Sequence, residues 1–400
     1  MGLKQNTWML DEWYAQEYAS PATYEGAKQL WTWGLNDNGQ LGLNQGGSPT
    51  SRSSPCQVGS LETWKSLSYG MGVTSNGNCY VWGAADGGRL GLNKSHPSPA
   101  LRRSSPTQLP GTWSTGAGAI CCRGSGAMGV KADGTLWNWG SGHMGRLGIN
   151  ISTPGNGGRS SPCQIPGSDW SDEYQSTATF TTGAAAIKTD GTLWIWGDNE
   201  YGSLGQNNTT DQSSPVQVGS GTDWKTVSGS YRAIAATKTD GSLYTWGQNQ
   251  YGHLGQNNQT QYESPKQVPG SWSYATMGYK YMHGVKTDGT LWGWGQNANG
   301  VIGNNQSQTS PSGGGLKAKS SPVQIGTNTT WKKPLMQMAN QGAGAIKTDG
   351  TLWLWGDNEY GPLGQNENNN PAHRSSPVQI PGIWDTANSL NETTSALKLL

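Results

Sequence analysis

Five basic residues occupy one equivalent position of the chain, each directly before a Ser-Ser-Pro triplet. They are Arg52, Arg103, Arg159, Lys319 and Arg374. Guanidinium and ammonium groups form charge-assisted hydrogen bonds with phosphates and carboxylates, so the sequence predicts a basic patch that faces a phosphate, a glycan or an acidic neighbour. The competing interpretation is that each base bonds its own loop, because most surface charges are satisfied locally. The two corresponding stretches without a base have Gln212 and Glu263 there.

Histidine and cysteine, the side chains most often used for metal binding and nucleophilic chemistry, are scattered. None of the five histidines stands at a spacing typical of metal ligation. The cysteines are odd in number and Cys121 and Cys122 are adjacent, which does not match a disulfide framework and indicates a reducing compartment. No Ser-His-Asp grouping, phosphate loop or paired carboxylate motif is discernible. The sequence therefore predicts a protein that is not an enzyme and that binds no cofactor or metal.

Five aspartates precede a glycine in a repeated hairpin motif and would form a ring of carboxylates at one rim. They are Asp133, Asp190, Asp240, Asp288 and Asp349. An aspartate at a hairpin accepts local backbone hydrogen bonds, so we expect these residues to form turns rather than a binding site.

Tryptophan dominates the apolar composition, with 21 Trp against one Phe in a chain that also has 61 Gly and 20 Pro. A large aromatic buries roughly 150–250 Å², so few residues supply the core, while glycine and proline favour short strands and tight turns. The net charge of +1 gives no global field for nucleic acid or a membrane surface. No apolar run approaches the ~20 residues of a membrane span. We expect an all-β protein without membrane insertion or nucleic-acid binding.

The elements that would position these groups come from a repeat that occurs seven times. Each copy has a strand ending in Trp-Gly, an aliphatic-Gly pair eight residues after that Trp, a Ser-Pro element and a further Trp; an Asp-Gly hairpin precedes most of the strands. The strands are LWTWG, CYVWG, LWNWG, LWIWG, LYTWG, LWGWG and LWLWG, which begin at Leu30, Cys79, Leu136, Leu193, Leu243, Leu291 and Leu352. About four short strands in a span of roughly fifty residues are typical of a propeller blade. The sequence therefore predicts a seven-bladed β-propeller.

The two ends of the repeat region complement each other. The first copy lacks the usual hairpin, and the chain stops at SALKLL, residues 395–400, which aligns with the strand that precedes that hairpin elsewhere. We expect this C-terminal strand to pair with residues 29–34 and to complete one blade from both termini, which removes a free sheet edge. The alternative is that Trp13 supplies the missing strand from the N-terminal side.

The segment DGTLWIWGDNEYGSLG, from Asp190 to Gly205, closely resembles the repeat of the regulator-of-chromosome-condensation family. The resemblance extends from about residue 29 to residue 400 and implies a seven-bladed propeller. Members of that family include a guanine-nucleotide exchange factor, a plant ultraviolet photoreceptor and modules of ubiquitin ligases. The family's usual histidine before the Asp-Gly turn is missing from most copies, and the photoreceptor's Gly-Trp-Arg-His-Thr clusters are absent, so the resemblance does not imply light chemistry.

Residues 1–27 do not fit the repeat, whereas residues 28–400 form the predicted propeller. The N-terminal arm carries Trp8, Leu10, Trp13, Tyr14 and Tyr18 in a polar background. An exposed aromatic arm must dock, either on its own propeller or on a neighbouring subunit.

Compact Trp-Gly repeats with loops rich in Asn and Gln also resemble the propellers of bacteriophage structural and tail proteins. We therefore expect a non-catalytic virion component, assembled in the host cytoplasm. Its loops and arm would contact other virion proteins, further copies of the chain or a host-surface receptor. The alternative function is a soluble protein-interaction or nucleotide-exchange-type regulator of the same repeat family.

Overall fold

The computed structural model describes residues 27–46, 50–60, 63–94, 102–151, 157–306, 318–335, 342–367, 373–390 and 392–400. Within these ranges the chain forms seven four-stranded sheets, which we call blades 1 to 7, and every strand pair is antiparallel. The all-β, seven-bladed fold predicted from the repeat is confirmed. The only helical elements of the described residues are two single 3-10 turns at Asp86–Gly88 and His143–Gly145, and no helix there has the length and apolar character needed to span a bilayer.

The strand bounds follow the repeat. Blade 1 contains β27 (Trp384–Leu390), β28 (Thr393–Leu399), β1 (Lys28–Gly34) and β2 (Arg52–Gln57). Blade 2 contains β3 (Trp64–Ser68), β4 (Met71–Thr74), β5 (Cys79–Gly83) and β6 (Arg103–Leu109), and blade 3 contains β7 (Ile120–Arg123), β8 (Gly126–Val130), β9 (Leu136–Gly140) and β10 (Arg159–Gln164). Blade 4 contains β11 (Thr177–Thr179), β12 (Gly183–Ile187), β13 (Leu193–Gly197) and β14 (Gln212–Gln217).

The remaining three blades have the same order. Blade 5 contains β15 (Trp224–Ser230), β16 (Ala233–Lys238), β17 (Leu243–Gly247) and β18 (Tyr262–Val268). Blade 6 contains β19 (Trp272–Met277), β20 (Tyr281–Lys286), β21 (Leu291–Gly295) and β22 (Lys319–Gln324). Blade 7 contains β23 (Trp331–Pro334), β24 (Gly342–Lys347), β25 (Leu352–Gly356) and β26 (Arg374–Ile380).

The first strand of each blade is the innermost, because the first strands of neighbouring blades contact one another from blade 1 to blade 7, beginning with β27 and β3, and β27 also contacts β24 of blade 7. The chain then runs outward to the fourth strand. The turn between the first and second strands and the loop between the third and fourth strands lie at one end of the ring, which we call the loop face. The Asp-Gly hairpins between the second and third strands lie at the other end, the hairpin face.

The ring is closed by the two ends of the repeat region. Strand β28 pairs with β1 from Leu399 opposite Lys28 to Thr393 opposite Gly34, which confirms the predicted closure. Strand β2 occupies the other edge of β1, so no edge remains for a strand from the N-terminal side and the alternative based on Trp13 is wrong. The aromatic arm itself, Trp8 to Tyr18, lies outside the described residues.

Each blade is joined to the preceding one by a hydrogen bond from the second Trp of its Trp-Gly strand. The indole Nε1 of Trp196 donates to the carbonyl of Arg146, directly before a Leu-Gly pair, over 3.0 Å. The same bond is made by Trp33, Trp82, Trp139, Trp246, Trp294 and Trp355. The glycine of the pair lies flat on that indole, and a Cβ on Gly148 would come within 2.7 Å of Trp196 Nε1. The fixed spacing of Trp and Leu-Gly therefore sets the contact between blades.

A second set of bonds joins the blades near the loop face. The backbone N–H of Asn44, a residue with positive φ, donates to the carbonyl of Ser104 in the next blade over 2.7 Å. Equivalent bonds are made by Asn93, Asn150, Asn207, Asn257, Asn305 and Asn366. Asparagine tolerates this left-handed conformation better than most residues, which explains its repeated use here.

Arg123 crosses the central channel at the loop face. Its Nη2 donates to Oγ of Ser230 over 2.6 Å, and its Nη1 donates to the carbonyls of Gly229 and Met277 at 3.3 and 3.4 Å. A guanidinium from blade 3 therefore reaches blades 5 and 6.

The opposite end of the channel is crossed by the segment before β11. The hydroxyl of Tyr174 donates to the carbonyl of Pro334 in blade 7 over 2.9 Å, and the Gln175 amide donates to Oγ1 of Thr276 in blade 6 over 2.6 Å. The interior cavity next to Arg123 and Gln175 has a volume of about 20 Å³, which is too small for a ligand.

Candidate interaction surfaces

The structure places the five predicted basic residues at the loop face, each as the first residue of a fourth strand and each on a different blade. Arg52 lies opposite Gly34, and Arg374 lies opposite Gly356. In blade 5, Tyr262 lies opposite the equivalent Gly247, so the residue that corresponds to the bases is Tyr262, and the alignment of Glu263 with them is wrong. Arg52, Arg103, Arg159, Lys319 and Arg374 form a partial ring over blades 6, 7, 1, 2 and 3.

Three of these bases bond their own loops. Nη2 of Arg52 donates to Oε1 of Gln45 over 2.7 Å, and Nη2 of Arg374 forms an ion pair with Oε2 of Glu367 over 2.6 Å. Nη1 of Arg103 donates to the carbonyl of Arg102 over 3.2 Å. Among the described residues no hydrogen bond or ion pair joins two of the five bases. The basic patch therefore stays a prediction.

The hairpin aspartates make turns. Oδ1 of Asp190 accepts hydrogen bonds from the backbone N–H and hydroxyl of Thr192, whose hydroxyl accepts one from the indole of Trp194. These bonds lower the pKa of Asp190. Asp133, Asp288 and Asp349 repeat the arrangement, and Asp240 bonds Ser242 in the same way.

The five cysteines are all free of disulfide bonds. Cys79 and Cys122 are buried among apolar residues, and burial raises the pKa of the Cys122 thiol to about 11. Thiols in such surroundings are poor nucleophiles.

A continuous row of aromatic and cationic side chains crosses the loop face of blades 4, 5 and 6. It consists of Tyr201, Arg232, Tyr231, Tyr279, Lys280 and Tyr251, which we call the tyrosine–cation row. The Arg232 guanidinium lies 4.2 Å from the ring centre of Tyr201 and 5.4 Å from that of Tyr231. The rings of Tyr231 and Tyr279 are 4.8 Å apart. All six side chains are half-buried.

The second half of the row is organised by Lys280. Its ammonium lies 4.5 Å from the ring centre of Tyr251 and 4.9 Å from that of Tyr279. It also donates to the Tyr251 hydroxyl over 3.0 Å, which lowers the pKa of that phenol. Arg232 is paired with Glu200, Nη2 to Oε2 at 3.2 Å, so the row with Glu200 carries one positive charge in excess.

The turn of blade 5 that carries Tyr231 and Arg232 has an unfavourable backbone conformation. Tyr231 has a φ of 48°, whereas the equivalent turns of blades 2 and 3 have Gly70 and Gly124 at positive φ. The left-handed region costs a bulky residue about 1–2 kcal/mol. Residues held in such conformations cluster at functional sites.

Carboxylates gather in another sector of the loop face, formed by blades 7 and 1. Oxygens of Asp357, Glu359 and Glu392 lie within 4.8 Å of one another. Burial and these neighbouring acids raise the pKa of Glu392 to about 7. Nδ1 of His373 lies 3.0 Å from Oδ1 of Asp357. The tyrosine–cation row and this carboxylate cluster therefore lie in different sectors of the loop face, and the sector of the carboxylates also contains Arg52 and Arg374.

A groove of about 600 Å³ lies on the hairpin face, between blades 4 and 5. Several of its polar side chains interact within the protein, whereas Nε1 of Trp224 makes no hydrogen bond with a described residue. Asp172 accepts a hydrogen bond from the Ser114 hydroxyl, and the Lys188 ammonium lies over the rings of Trp170 and Trp194. The groove therefore presents few polar groups that need an external partner.

Comparison with known protein families agrees with the repeat. Residues 29–74, 190–236, 240–281 and 349–387 match the family described as regulator of chromosome condensation (RCC1) repeat. These four segments are RCC1 repeats. The four matched segments lie in blades 1, 2, 4, 5, 6 and 7, and the remaining copies share their strand order and inter-blade bonds.

Solved structures similar to this RCC1-repeat propeller show the same fold. Human WBSCR16 has 16% identity and a TM-score of 0.76, with 93% of this chain and 99% of that chain covered. Prp20p from Saccharomyces cerevisiae, whose structure was described with its binding properties to Gsp1p and histones, has 15% identity and a TM-score of 0.74. It covers 94% of this chain, which covers 92% of Prp20p. At such identities the likeness shows the fold alone.

The tyrosine–cation row of this RCC1-repeat propeller was missed from the sequence. Its residues lie in turns and loops of three blades and share no motif with the Ser-Ser-Pro positions. The available signal was Tyr-Arg at 231–232 and Tyr-Lys at 279–280, which directly precede the second strand in consecutive repeats.

Proposed function

We propose that this protein is a non-catalytic scaffold that docks a partner protein on the loop face through the tyrosine–cation row. The observation that carries the proposal is the unbroken succession of four tyrosines and two cations over three blades. Tyrosine and arginine are enriched among the residues that contribute most to protein interfaces. A rigid ring of paired strands holds these side chains in place before binding, which reduces the entropy lost on association.

The charges of the loop face indicate the chemistry of the partner. Arg232 and Lys280 favour carboxylates that approach over the tyrosine rings, while the acidic sector around Asp357 and Glu392 favours basic groups. The partner surface should therefore carry acids opposite blades 4 to 6 and bases opposite blades 7 and 1. Prp20p, which shares the fold, is described as binding Gsp1p and histones, so this architecture is used for binding proteins.

The experiment compares three purified forms of the chain as baits for a host lysate. These are the natural protein, the double variant Tyr231→Gly/Tyr279→Ala, and the control Arg159→Ala on the outer rim. We expect one protein to bind the natural chain and the control, and to bind the double variant at least about tenfold more weakly when the purified pair is measured. Equal affinity for the double variant would contradict the proposal.

The control distinguishes the row from the predicted basic patch. Arg159 is exposed and its side chain makes no hydrogen bond or ion pair with a described residue, so its substitution changes the rim charge without changing the fold. If Arg159→Ala weakens binding as much as the double variant does, the ring of bases contributes to the site.

A virion role is the narrower form of this proposal, in which the docked partner is another virion protein or a receptor. It is supported by the compact Trp-Gly repeats with loops rich in Asn and Gln and by the aromatic residues of the N-terminal arm. Purified particles would then contain the chain at fixed stoichiometry, and deletion of residues 2–27 would abolish incorporation. For the alternative, a nucleotide-exchange-type regulator, the captured partner would be a small GTPase.

A further inference from the structure

A lysine near the hairpin face lies over aromatic rings of its own blade in six of the seven blades. These lysines are Lys131, Lys188, Lys238, Lys286, Lys347 and Lys398. In blade 5 the position also holds a carboxylate, because Oδ1 of Asp223 lies 3.0 Å from Nζ of Lys238. A carboxylate therefore fits beside the lysine in this fold.

Lys347 in blade 7 is the most deeply placed of the six. It is 9% exposed, and its Nζ lies 4.9 Å from the ring centre of Trp331 and 4.3 Å from that of Trp353. Within the described part of the chain its ammonium group makes neither an ion pair nor a hydrogen bond. A cation removed from water in this way is costly unless an anion compensates it, and the two indole faces supply only part of that compensation.

Between blades 6 and 7, a single shorter side chain opens the groove beside Lys347. In three other grooves a glutamine after the aliphatic-Gly pair donates to the end of its own fourth strand: Gln206 to the Gln217 carbonyl, Gln256 to that of Gln267 and Gln365 to that of Gln379, at 3.0 to 3.1 Å. The equivalent residue between blades 6 and 7 is Asn304, which is one methylene shorter and bonds Gln306 instead.

The result is a pocket of about 390 Å³ on the outer flank of the ring. Its lining includes Lys347, Trp331, Trp353, Asn304, Gln324 and Asn328. This volume is near the lower end of the roughly 300–1,000 Å³ found for small-molecule sites.

Two polar atoms in the pocket wall lack partners. Nε1 of Trp331 and Oδ1 of Asn304 are shielded from solvent and make no hydrogen bond with any described residue. The indole nitrogen is also unpaired at the equivalent Trp of the other six blades, so the Asn304 oxygen is the unpaired atom that is particular to this pocket. A buried donor or acceptor left unpaired costs about 1–3 kcal/mol. The wall therefore offers a cation, a donor, an acceptor and an aromatic face, and a ligand that satisfies all of them carries a carboxylate and hydroxyl groups on a compact ring.

We propose that the pocket between blades 6 and 7 binds an acidic monosaccharide of the hexuronic acid class. Its carboxylate pairs with Lys347, its C–H face packs on the half-buried indole of Trp353, and its hydroxyls bond the amides of Asn304, Gln324 and Asn328. A neutral sugar leaves Lys347 without an anion, and a simple carboxylate leaves the amides unused. The pocket shares no residue with the tyrosine–cation row, so this inference does not depend on the proposed docking function.

The test measures binding of methyl β-D-glucuronide, methyl β-D-glucoside and N-acetylglutamate by saturation-transfer NMR and titration calorimetry. Two variants remove the pocket's features: Lys347→Gln removes the cation, and Asn304→Gln fills the groove with the residue that other blades already have. Lys286→Gln is the matched control, because Lys286 holds the same position beside the groove that Gln256 closes. Thermal unfolding verifies that all three variants fold.

We expect the glucuronide to bind the natural protein and Lys286→Gln equally, and at least about tenfold more tightly than the glucoside, as for a charge-assisted hydrogen bond. Lys347→Gln and Asn304→Gln should each weaken its binding by a similar factor or more. Unchanged binding in folded Asn304→Gln, or no binding of the glucuronide to the natural protein, would overturn the proposal. Binding of N-acetylglutamate as tight as that of the glucuronide would also overturn it, and would indicate an acidic peptide instead.

Discussion

The indole nitrogen of Trp33 donates a hydrogen bond to the carbonyl of Pro362 over 2.8 Å and joins two parts of the chain that are 329 residues apart. The same bond links each of the remaining six pairs of neighbouring blades. Ring closure therefore uses the same contact as the rest of the ring, and it also needs β28 beside β1.

Deletion of residues 395–400 should strongly destabilise the protein. The deletion removes most of β28, including Ala396 and Leu397, which are fully buried, and leaves an edge of β1 unpaired. We expect a loss on the order of 5 kcal/mol or more from buried area and ladder hydrogen bonds. Thermal and denaturant unfolding measure it, with removal of the exposed Leu400 alone as control. An unchanged melting temperature after the six-residue deletion would contradict the closure.

Gly148→Ala should cost more than Gly219→Ala. Both glycines have positive φ, 70° and 61°, but a Cβ on Gly148 would meet the Trp196 indole at 2.7 Å, while one on Gly219 would meet nothing within 4 Å. The backbone penalty of about 1–2 kcal/mol applies to both, and overpacking adds about 1–3 kcal/mol at Gly148 alone. Urea unfolding of the two variants measures the difference, and equal losses would show that the glycine–indole contact is not tight.

Arg89→Met should destabilise the fold, whereas Arg159→Met should not. Arg89 is 8% exposed, and its guanidinium donates to the carbonyls of Ala84 and Gly124 over 2.8 Å each. Loss of two charged hydrogen bonds to buried carbonyls costs about 2–4 kcal/mol, while the exposed rim substitution stays within about 0.5 kcal/mol. If chemical denaturation gives the same midpoint for both variants, the buried arginine does not fix its loop.

Two buried histidines should make the fold sensitive to acid. Burial lowers the pKa of His253 and His283 to about 4, below the value near 6.5 of an unfolded histidine. The unfolded chain therefore binds more protons between these values, so the stabilisation present above pH 6.5 is lost as the pH falls towards 4, by about 3 kcal/mol for each histidine. The pH dependence of the free energy of unfolding over this range should be about halved in His283→Gln, because His253 remains, and should be unchanged in His143→Gln, whose histidine is exposed. Identical pH profiles of His283→Gln and the natural protein would contradict the burial of a neutral imidazole.

The fold was predictable because the residues that form the strands and hairpins of a blade recur within each repeat. The Trp-Gly strands and Asp-Gly hairpins located the third strand of each blade, and the lack of a hairpin before Leu30 predicted closure by residues 395–400. The reason for the Trp to Leu-Gly spacing could not be read from one repeat, because Trp196 bonds the carbonyl of Arg146 in the preceding blade.

The candidate sites were less accessible to sequence reasoning. The bases before Ser-Ser-Pro were conspicuous because they align in register, yet Arg52 and Arg374 bond their own loops. The tyrosine–cation row joins turns of different blades, and the pocket beside Lys347 depends on Asn304 being one methylene shorter than its equivalents. Neither relationship exists within a single repeat, so both required the assembled ring.

The proposed docking face is tested most directly by hydrogen–deuterium exchange of the protein with and without the partner captured by the natural chain. We predict slower exchange in the turns at 231–232 and 279–280 and in the loop at 198–203, with no change in the hairpin at 239–242. Protection confined to the hairpin face, or protection that persists in Tyr231→Gly/Tyr279→Ala, would contradict docking through the tyrosine–cation row.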